Sequence, residues 1–319
     1  MPEIGYALSS EEHPAPDLVG FAARAEEAGF IFALVSDHYH PWTDRQGHSP
    51  LVWSVLGGIA GVTERLRVGT GVTCPLVRTP PALVAQAAAT VSEMMPGRFF
   101  LGVGTGENLN EHITGDPWPP VSVRMDMLEE AIDVIRPLLR GELVTHRGRH
   151  FTVDNARVYC DPVTAPPIYV AAAGEQAAEL AGRVGDGLIA TSPDASAVKA
   201  FDGAGGDGKP HIGQVMVCWA TSEAEGKKIA HEWWPNAALP GQLGQELPLP
   251  MHFEQATSVL DPDDVAERVI CGPDADRHDD AIRQYVDAGY EQVYVHQVGP
   301  DQHGFFDFYE QEVLPRFAA

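Results

Sequence analysis

The chain has 319 residues, is 44% hydrophobic and 8% aromatic, and carries a formal charge of −24 from 45 acidic against 21 basic residues. That length and composition suit a globular protein with a large core, in one domain or two. Its acidity, with lysine only at positions 199, 209, 227 and 228, argues against nucleic-acid and anionic-membrane binding and leaves few point charges for a phosphorylated ligand.

The N-terminus Met1-Pro2-Glu3-Ile4 lacks a basic region followed by an apolar stretch, and no unbroken apolar run is long enough for a bilayer, so a cytoplasmic protein is expected. Cys74, Cys160, Cys218 and Cys271 lie more than fifty positions apart. That spacing gives neither a zinc motif nor a disulfide framework, and buried small residues are expected.

In chain order, Ile4 to Leu8 reads as a strand and Pro16 to Ala28 as a helix stopped by Gly29. The apolar run Phe30 to Val35 is the second strand. Ser49 to Val62 reads as helix, Leu66 to Thr70 as strand, Pro80 to Met95 as an alanine-rich helix, Arg98 to Val103 as strand and Met125 to Leu139 as helix. Glu142 to Tyr159 has the pattern of an inserted hairpin.

The alternation resumes with strand Pro167 to Ala171, helix Glu175 to Val184, strand Gly187 to Ala190 and strand Ile212 to Ala220. A Trp-, Pro- and Gly-rich insertion with a helical piece near Glu225 to Trp233 runs from Thr221 to about Leu260. Asp263 to Cys271 and Asp279 to Ala288 read as helices, Gln292 to His296 as the last strand and Phe305 to Phe317 as the closing helix.

Eight strand-like runs interleaved with helices fit an eight-stranded α/β barrel or a doubly wound sheet. Polar or Gly-rich residues follow several different strands: Asp37 and His38, Thr70 and Gly71, Gly104 to Glu107, Ala173 and Gly174, Thr191 and Ser192, and His296. Only in a barrel do such positions converge on one face. The expected architecture is therefore a single (β/α)8 TIM barrel over 1–319, with insertions near 141–165 and 221–260.

The segment Ser36-Asp37-His38-Tyr39-His40-Pro41-Trp42 breaks the usual rule that a buried strand runs into a Gly/Pro turn, which marks it as half of an active site. Gly102-Val103-Gly104-Thr105-Gly106-Glu107 resembles a dinucleotide loop, but Glu107 stands where a third Gly is needed and would repel a pyrophosphate. The glycines instead suit close backbone approach to a planar ligand, with Glu107 aimed at it. Thr70 to Pro75 and Ala171 to Gly174 offer similar small-residue strand ends. The His38-x-His40 pair also permits a metal-dependent hydrolase, but it follows the wrong strand and lacks the further ligands that such a site draws from later strands.

Together these stretches resemble the luciferase-like superfamily of flavin and deazaflavin barrels, in the branch similar to glucose-6-phosphate dehydrogenases that use coenzyme F420. Ser36-Asp37-His38 with Pro41-Trp42, Gly47-His48-Ser49-Pro50, Leu101 to Glu107 with Leu109-Asn110-Glu111, Ala181 to Gly187, and Thr191-Ser192 carry the resemblance. It spans most of the chain and is weakest between about Ala195 and Leu260.

The resemblance implies that Asp37, Gly71, Val72, Cys74, Glu107, Asn110, Ala173 and Gly174 contact the deazaflavin, that the Gly71-Val72 peptide is cis, and that the protein is a homodimer. It also implies His38 as the base that removes a substrate hydroxyl proton, Trp42 as cover for the developing charge, and Glu107 as proton donor to the reduced ring. A His of near-neutral pKa suits the first role.

The implied reaction is hydride transfer between an alcohol-type small molecule and F420. Asp194 and Glu267 stand where the resemblance implies lysines for a sugar phosphate, so glucose 6-phosphate is not the expected substrate. The alternatives are a reductase that consumes reduced F420, an FMN-dependent monooxygenase, and a non-catalytic flavin-binding partner, the last opposed by the intact His38 and Glu107.

Overall fold

In a computed structural model of the protein, which describes residues 1–159 and 165–318, eight parallel strands close on themselves. They are β1 (Glu3–Leu8), β2 (Phe32–Val35), β3 (Arg67–Thr70), β4 (Phe99–Val103), β5 (Ile168–Ala171), β6 (Gly187–Ala190), β7 (His211–Cys218) and β8 (Gln292–Gln297). Each pairs with the next, and β8 pairs with β1 through Ile4 and Val293, which completes the (β/α)8 barrel.

Alternation along the strands divides the core in two. Side chains of Phe32, Leu34, Phe100, Tyr169, Ile189, Ile212 and Tyr294 fill the barrel, with the Phe100 and Tyr169 rings 5.1 Å apart. The intervening residues, among them Ala33, Val35, Val68 and Leu101, belong to a second core shared with the outer helices. Those helices include Ala15–Ala28, Pro81–Met94 and Val121–Leu139, whose buried stripes hold Leu18, Ala22, Val84, Ala88, Leu128 and Ile135.

The strand and helix cores fall close to the expected ranges, with three instructive differences. The helix expected from Ser49 begins at Val52, because the residue before a proline is pushed out of the α region and Pro50 follows Ser49. Pro262–Ala266 is helical under an Asp261 capping box, but Ile270–Cys271 forms a short strand beside Val217 and Cys218 of β7, so the helix expected through Cys271 ends early. A helix at Ala195–Phe201, capped by Asp194, fills the gap between β6 and β7 where the sequence reading placed none.

The expected hairpin is present as Val144–Arg147 paired antiparallel with Thr152–Ala156. Cys160 lies outside the described residues, while Cys74, Cys218 and Cys271 are buried thiols. Between β7 and β8 the 221–260 stretch contributes helices Glu223–Trp233, Leu243–Glu246 and Pro250–Thr257. Among the described residues no helix is long and apolar enough to cross a membrane.

Candidate active site

The residues singled out from the sequence stand at the C-terminal ends of the strands, on one face of the barrel. The turn after β1 adds two carboxylates to that face, Glu11 and Glu12, both buried. Glu11 Oε1 lies 3.3 Å from His38 Nε2, and its Oε2 accepts from Ser36 Oγ at 2.5 Å and Ser9 Oγ at 3.2 Å. Burial by itself raises the Glu11 pKa, but the His38 charge and the Ser36 hydroxyl outweigh it and bring the carboxyl below its ordinary value.

His38 Nδ1 donates to the His40 carbonyl oxygen at 3.2 Å, so the ring is held at both nitrogens. The Trp42 indole lies 5.0 Å from the imidazole and meets Phe253 of the 221–260 insertion edge to face at 5.2 Å. Gln46 fixes this wall: its Oε1 accepts from Trp42 N at 2.8 Å and its Nε2 donates to Trp233 O at 3.0 Å. A second buried pair sits beside the first. His296 Nε2 is 3.3 Å from Glu12 Oε2, and the His296 ring meets Trp234 at 4.5 Å.

The His38 and His40 side chains do not converge. His40 Nδ1 donates instead to Leu109 O at 2.9 Å.

A polar network joins the ends of β2, β3 and β4. Asp37 Oδ2 accepts from Thr73 Oγ1 at 2.7 Å and Oδ1 from Arg78 Nη2 at 2.9 Å. Arg78 also reaches Glu111, through Nε to Oε1 at 3.4 Å and through its backbone N–H to Oε2 at 2.7 Å. Burial pushes the Glu111 carboxyl up. Asn110 Oδ1 accepts from the backbone of Tyr39 and His40, and its Nδ2 donates to Glu107 Oε2 at 3.3 Å.

The Gly71-Val72 peptide is cis, and directly after it Thr73 re-pairs with β4, its N–H donating to Gly102 O at 2.9 Å. The surroundings fit a flat group brought against main chain. A Cβ on Gly104 would lie 2.8 Å from Val72 Cγ2, so the absent side chain is what lets these two strand ends meet. Gly106 has φ of +72° and faces Cys74, and it turns the chain so that Glu107 follows on the open side. Ala173 and Gly174 follow β5, the neighbour of β4, and a Cβ on Gly174 would meet nothing within 4 Å.

The structure thus gathers Asp37, His38, Trp42, Gly71, Val72, Cys74, Glu107 and Asn110 around the ends of β2 to β4, with Ala173 and Gly174 one strand further on. Asp194 is differently employed. Its carboxylate caps the helix Ala195–Phe201, accepting from Ser196 N at 2.8 Å and Ser196 Oγ at 2.7 Å, and Glu267 is exposed at the end of its helix.

Glu11, Glu12 and Arg78 were absent from the sequence reading. A signal for the first two existed: in a barrel whose other strands end in polar residues, Ser9-Ser10-Glu11-Glu12-His13 after β1 belongs to the same face. Two cavities of about 270 and 140 Å³ open at the other end of the barrel, among Arg136, Pro167 and Asp186 and among Arg67, Arg98 and Tyr169. They share no residue with this site.

Residues 1–292 match the profile of the luciferase-like monooxygenase family. The F420-dependent glucose-6-phosphate dehydrogenase of Nakamurella multipartita is 36% identical, over 99% of this chain and 96% of that protein. The F420-dependent hydroxymycolic acid dehydrogenase of Mycobacterium tuberculosis is 37% identical, over 98% of this chain and 87% of that protein. Among solved structures, an F420-dependent secondary alcohol dehydrogenase in complex with an F420-acetone adduct superposes with a TM-score of 0.91 at 29% identity, covering 100% of this chain and 99% of that one.

Proposed function

Because the chain belongs to the luciferase-like monooxygenase family, in its F420-dependent branch, we propose that it is an F420-dependent oxidoreductase that transfers hydride between an alcohol carbon of a small molecule and the deazaflavin. The observation that carries the reading is the Glu11–His38 pair beneath Trp42, set beside the glycine-lined ends of β3 and β4. When bound, coenzyme F420 supplies the carbon that accepts or returns the hydride. Asp37, Gly71, Val72, Cys74, Glu107, Asn110, Ala173 and Gly174 hold it.

The side chains manage the protons. His38, whose Nδ1 proton is committed to the His40 carbonyl, takes the hydroxyl proton at Nε2 as the alcohol is oxidised, and Glu11 beside that nitrogen stabilises the imidazolium that results. Trp42, braced by Phe253, excludes water from that exchange. Glu107, oriented by Asn110 Nδ2, stands on the cofactor side as the proton donor to the reduced ring.

The substrate is an uncharged alcohol or unphosphorylated sugar. A phosphate group carries roughly −1.5 to −2 at neutral pH, and the face that would receive it holds the carboxylates of Glu11, Glu12 and Glu107 in a chain of net −24. Arg78 offers no free charge there, being bound to Asp37 and Glu111. The same reading includes a homodimer acting in the cytoplasm and no nucleic-acid partner, which the acidity supports.

Fluorescence titration with F420 and with FMN tests the cofactor, and steady-state rates with secondary alcohols, glucose and glucose 6-phosphate test the substrate. Tighter binding of FMN overturns the first assignment. A specificity constant highest for the phosphate overturns the second.

A further inference from the structure

Arg78 is the only contact among those described that ties the loops following β2, β3 and β4 through one side chain. Its side chain is 10% exposed, and the two carboxylates it holds, Asp37 and Glu111, are 3% and 1% exposed. The guanidinium also donates to the Asp37 main-chain oxygen at 3.2 Å, which fixes that residue at both ends. The other Asp37 carboxylate oxygen is taken by Thr73, two residues beyond the cis peptide's first member. Each loop so joined carries part of the proposed cofactor site: Asp37 after β2, Val72 and Cys74 after β3, Glu107 and Asn110 after β4.

We propose that Arg78 is a positioning residue for the cofactor, gripping Asp37 and Glu111 together so that the three loops meet the deazaflavin ring in one fixed arrangement. The inference rests on the F420 reading given above. A rigid planar fork sets its donors on separate nitrogens, Nε toward Glu111 and Nη2 toward Asp37, where an ammonium offers all three from one point. Arg78 also supplies the counter-charge to a buried Asp37 carboxylate, which has lone pairs left over for a ligand after its two present bonds. Without the cation, Glu111, whose carboxyl burial already pushes up, would face the Asp37 carboxylate across a buried gap and take up a proton.

The test uses the full-length protein and F420 itself. The wild type is titrated first: failure to bind F420 would count against the cofactor reading and not against Arg78. With binding established, Arg78→Met is expected to raise the F420 dissociation constant by on the order of tenfold or more, with Arg78→Lys recovering only part of the loss. The pH dependence separates positioning from simple support. In Arg78→Met the loss of F420 affinity on acidification should begin at higher pH than in wild type, and Arg78→Met/Glu111→Gln should move it back. A uniform weakening at every pH, or unchanged binding by a folded Arg78→Met, overturns the proposal. If Arg78→Met does not fold, Arg78→Lys and Thr73→Val carry the same titration, and wild-type affinity in both overturns it as well.

Discussion

Glu11 holds His38 from behind, with the carboxylate 3.3 Å from Nε2 while the His40 carbonyl takes Nδ1 at 3.2 Å. Both partners are acceptors, so the ring satisfies both at once only when it carries two protons. That arrangement suits a group that receives a proton during oxidation and must be stabilised while it keeps it. Glu11→Gln should lower turnover by about tenfold or more while leaving F420 affinity unchanged, since the loss falls on the proton-transfer step. Equal losses in turnover and in cofactor affinity would show that Glu11 shapes the pocket instead.

The same pair makes a statement about stability. Glu11 has its pKa lowered from 4.5 in the folded chain, so its contribution is fully present above the unfolded value and is lost as pH falls through the folded one. The stability difference between wild type and Glu11→Gln should therefore shrink as pH falls below about 4.5, as denaturant unfolding at a series of acidic pH values would show.

His38→Ala should lose roughly two to four decades in turnover with little change in F420 binding, the range expected for a general base. Glu107→Gln should be slow as well. Normal turnover by His38→Ala together with a dead His40→Ala would move the base to the other histidine.

Gly106→Ala probes the strand end that carries Glu107. Its φ of +72° disfavours any side chain, and the new Cβ would stand 2.5 Å from Cys74 Sγ. A destabilisation on the order of 1–3 kcal/mol is expected, together with slower turnover because Glu107 is displaced. Cys74→Ala in the same background removes the Sγ contact but leaves its own Cβ 2.9 Å from the new one and the backbone cost untouched, so thermal stability should recover only in part.

Far from the site, His278 sets part of the acid limb. Its Nε2 donates to Gly272 O at 3.0 Å, its Nδ1 accepts from the Tyr309 hydroxyl at 2.9 Å, and burial lowers its pKa to about 4. Between that value and the unfolded 6.5 the unfolded chain binds a proton that the folded one refuses, so stability falls as pH falls through this window. The full loss is on the order of 3 kcal/mol. His278→Gln should flatten the stability profile between about pH 6.5 and pH 4, and an unchanged slope there would assign the acid sensitivity elsewhere.

The barrel was legible because its strands are short apolar runs ended by residues that no ordinary turn requires. Asp37 to Trp42 and Gly102 to Asn110 could be read for the same reason. Glu11 carried only the weaker signal of its place after β1, since Ser-Ser-Glu-Glu-His looks like a solvated turn until Ser36 and His38 from the neighbouring strand close over it. Arg78 was hidden more deeply, because its meaning lies in partners 41 and 33 positions away. The capping role of Asp194 was not legible because the helix it caps went unrecognised, although an Asp two residues before a Ser is a capping signal.

Gln46, bound to both Trp42 and Trp233, marks a seam in the pocket. On one side lie the loops after β2 to β4, cross-linked by charge. On the other lies the segment between β7 and β8, which supplies aromatic surfaces, Trp234 against His296 and Phe253 against Trp42. Substitutions in that segment are therefore expected to change which alcohol is accepted more than how tightly F420 is held. Relatives named for glucose 6-phosphate and for hydroxymycolic acid are both named as F420-dependent.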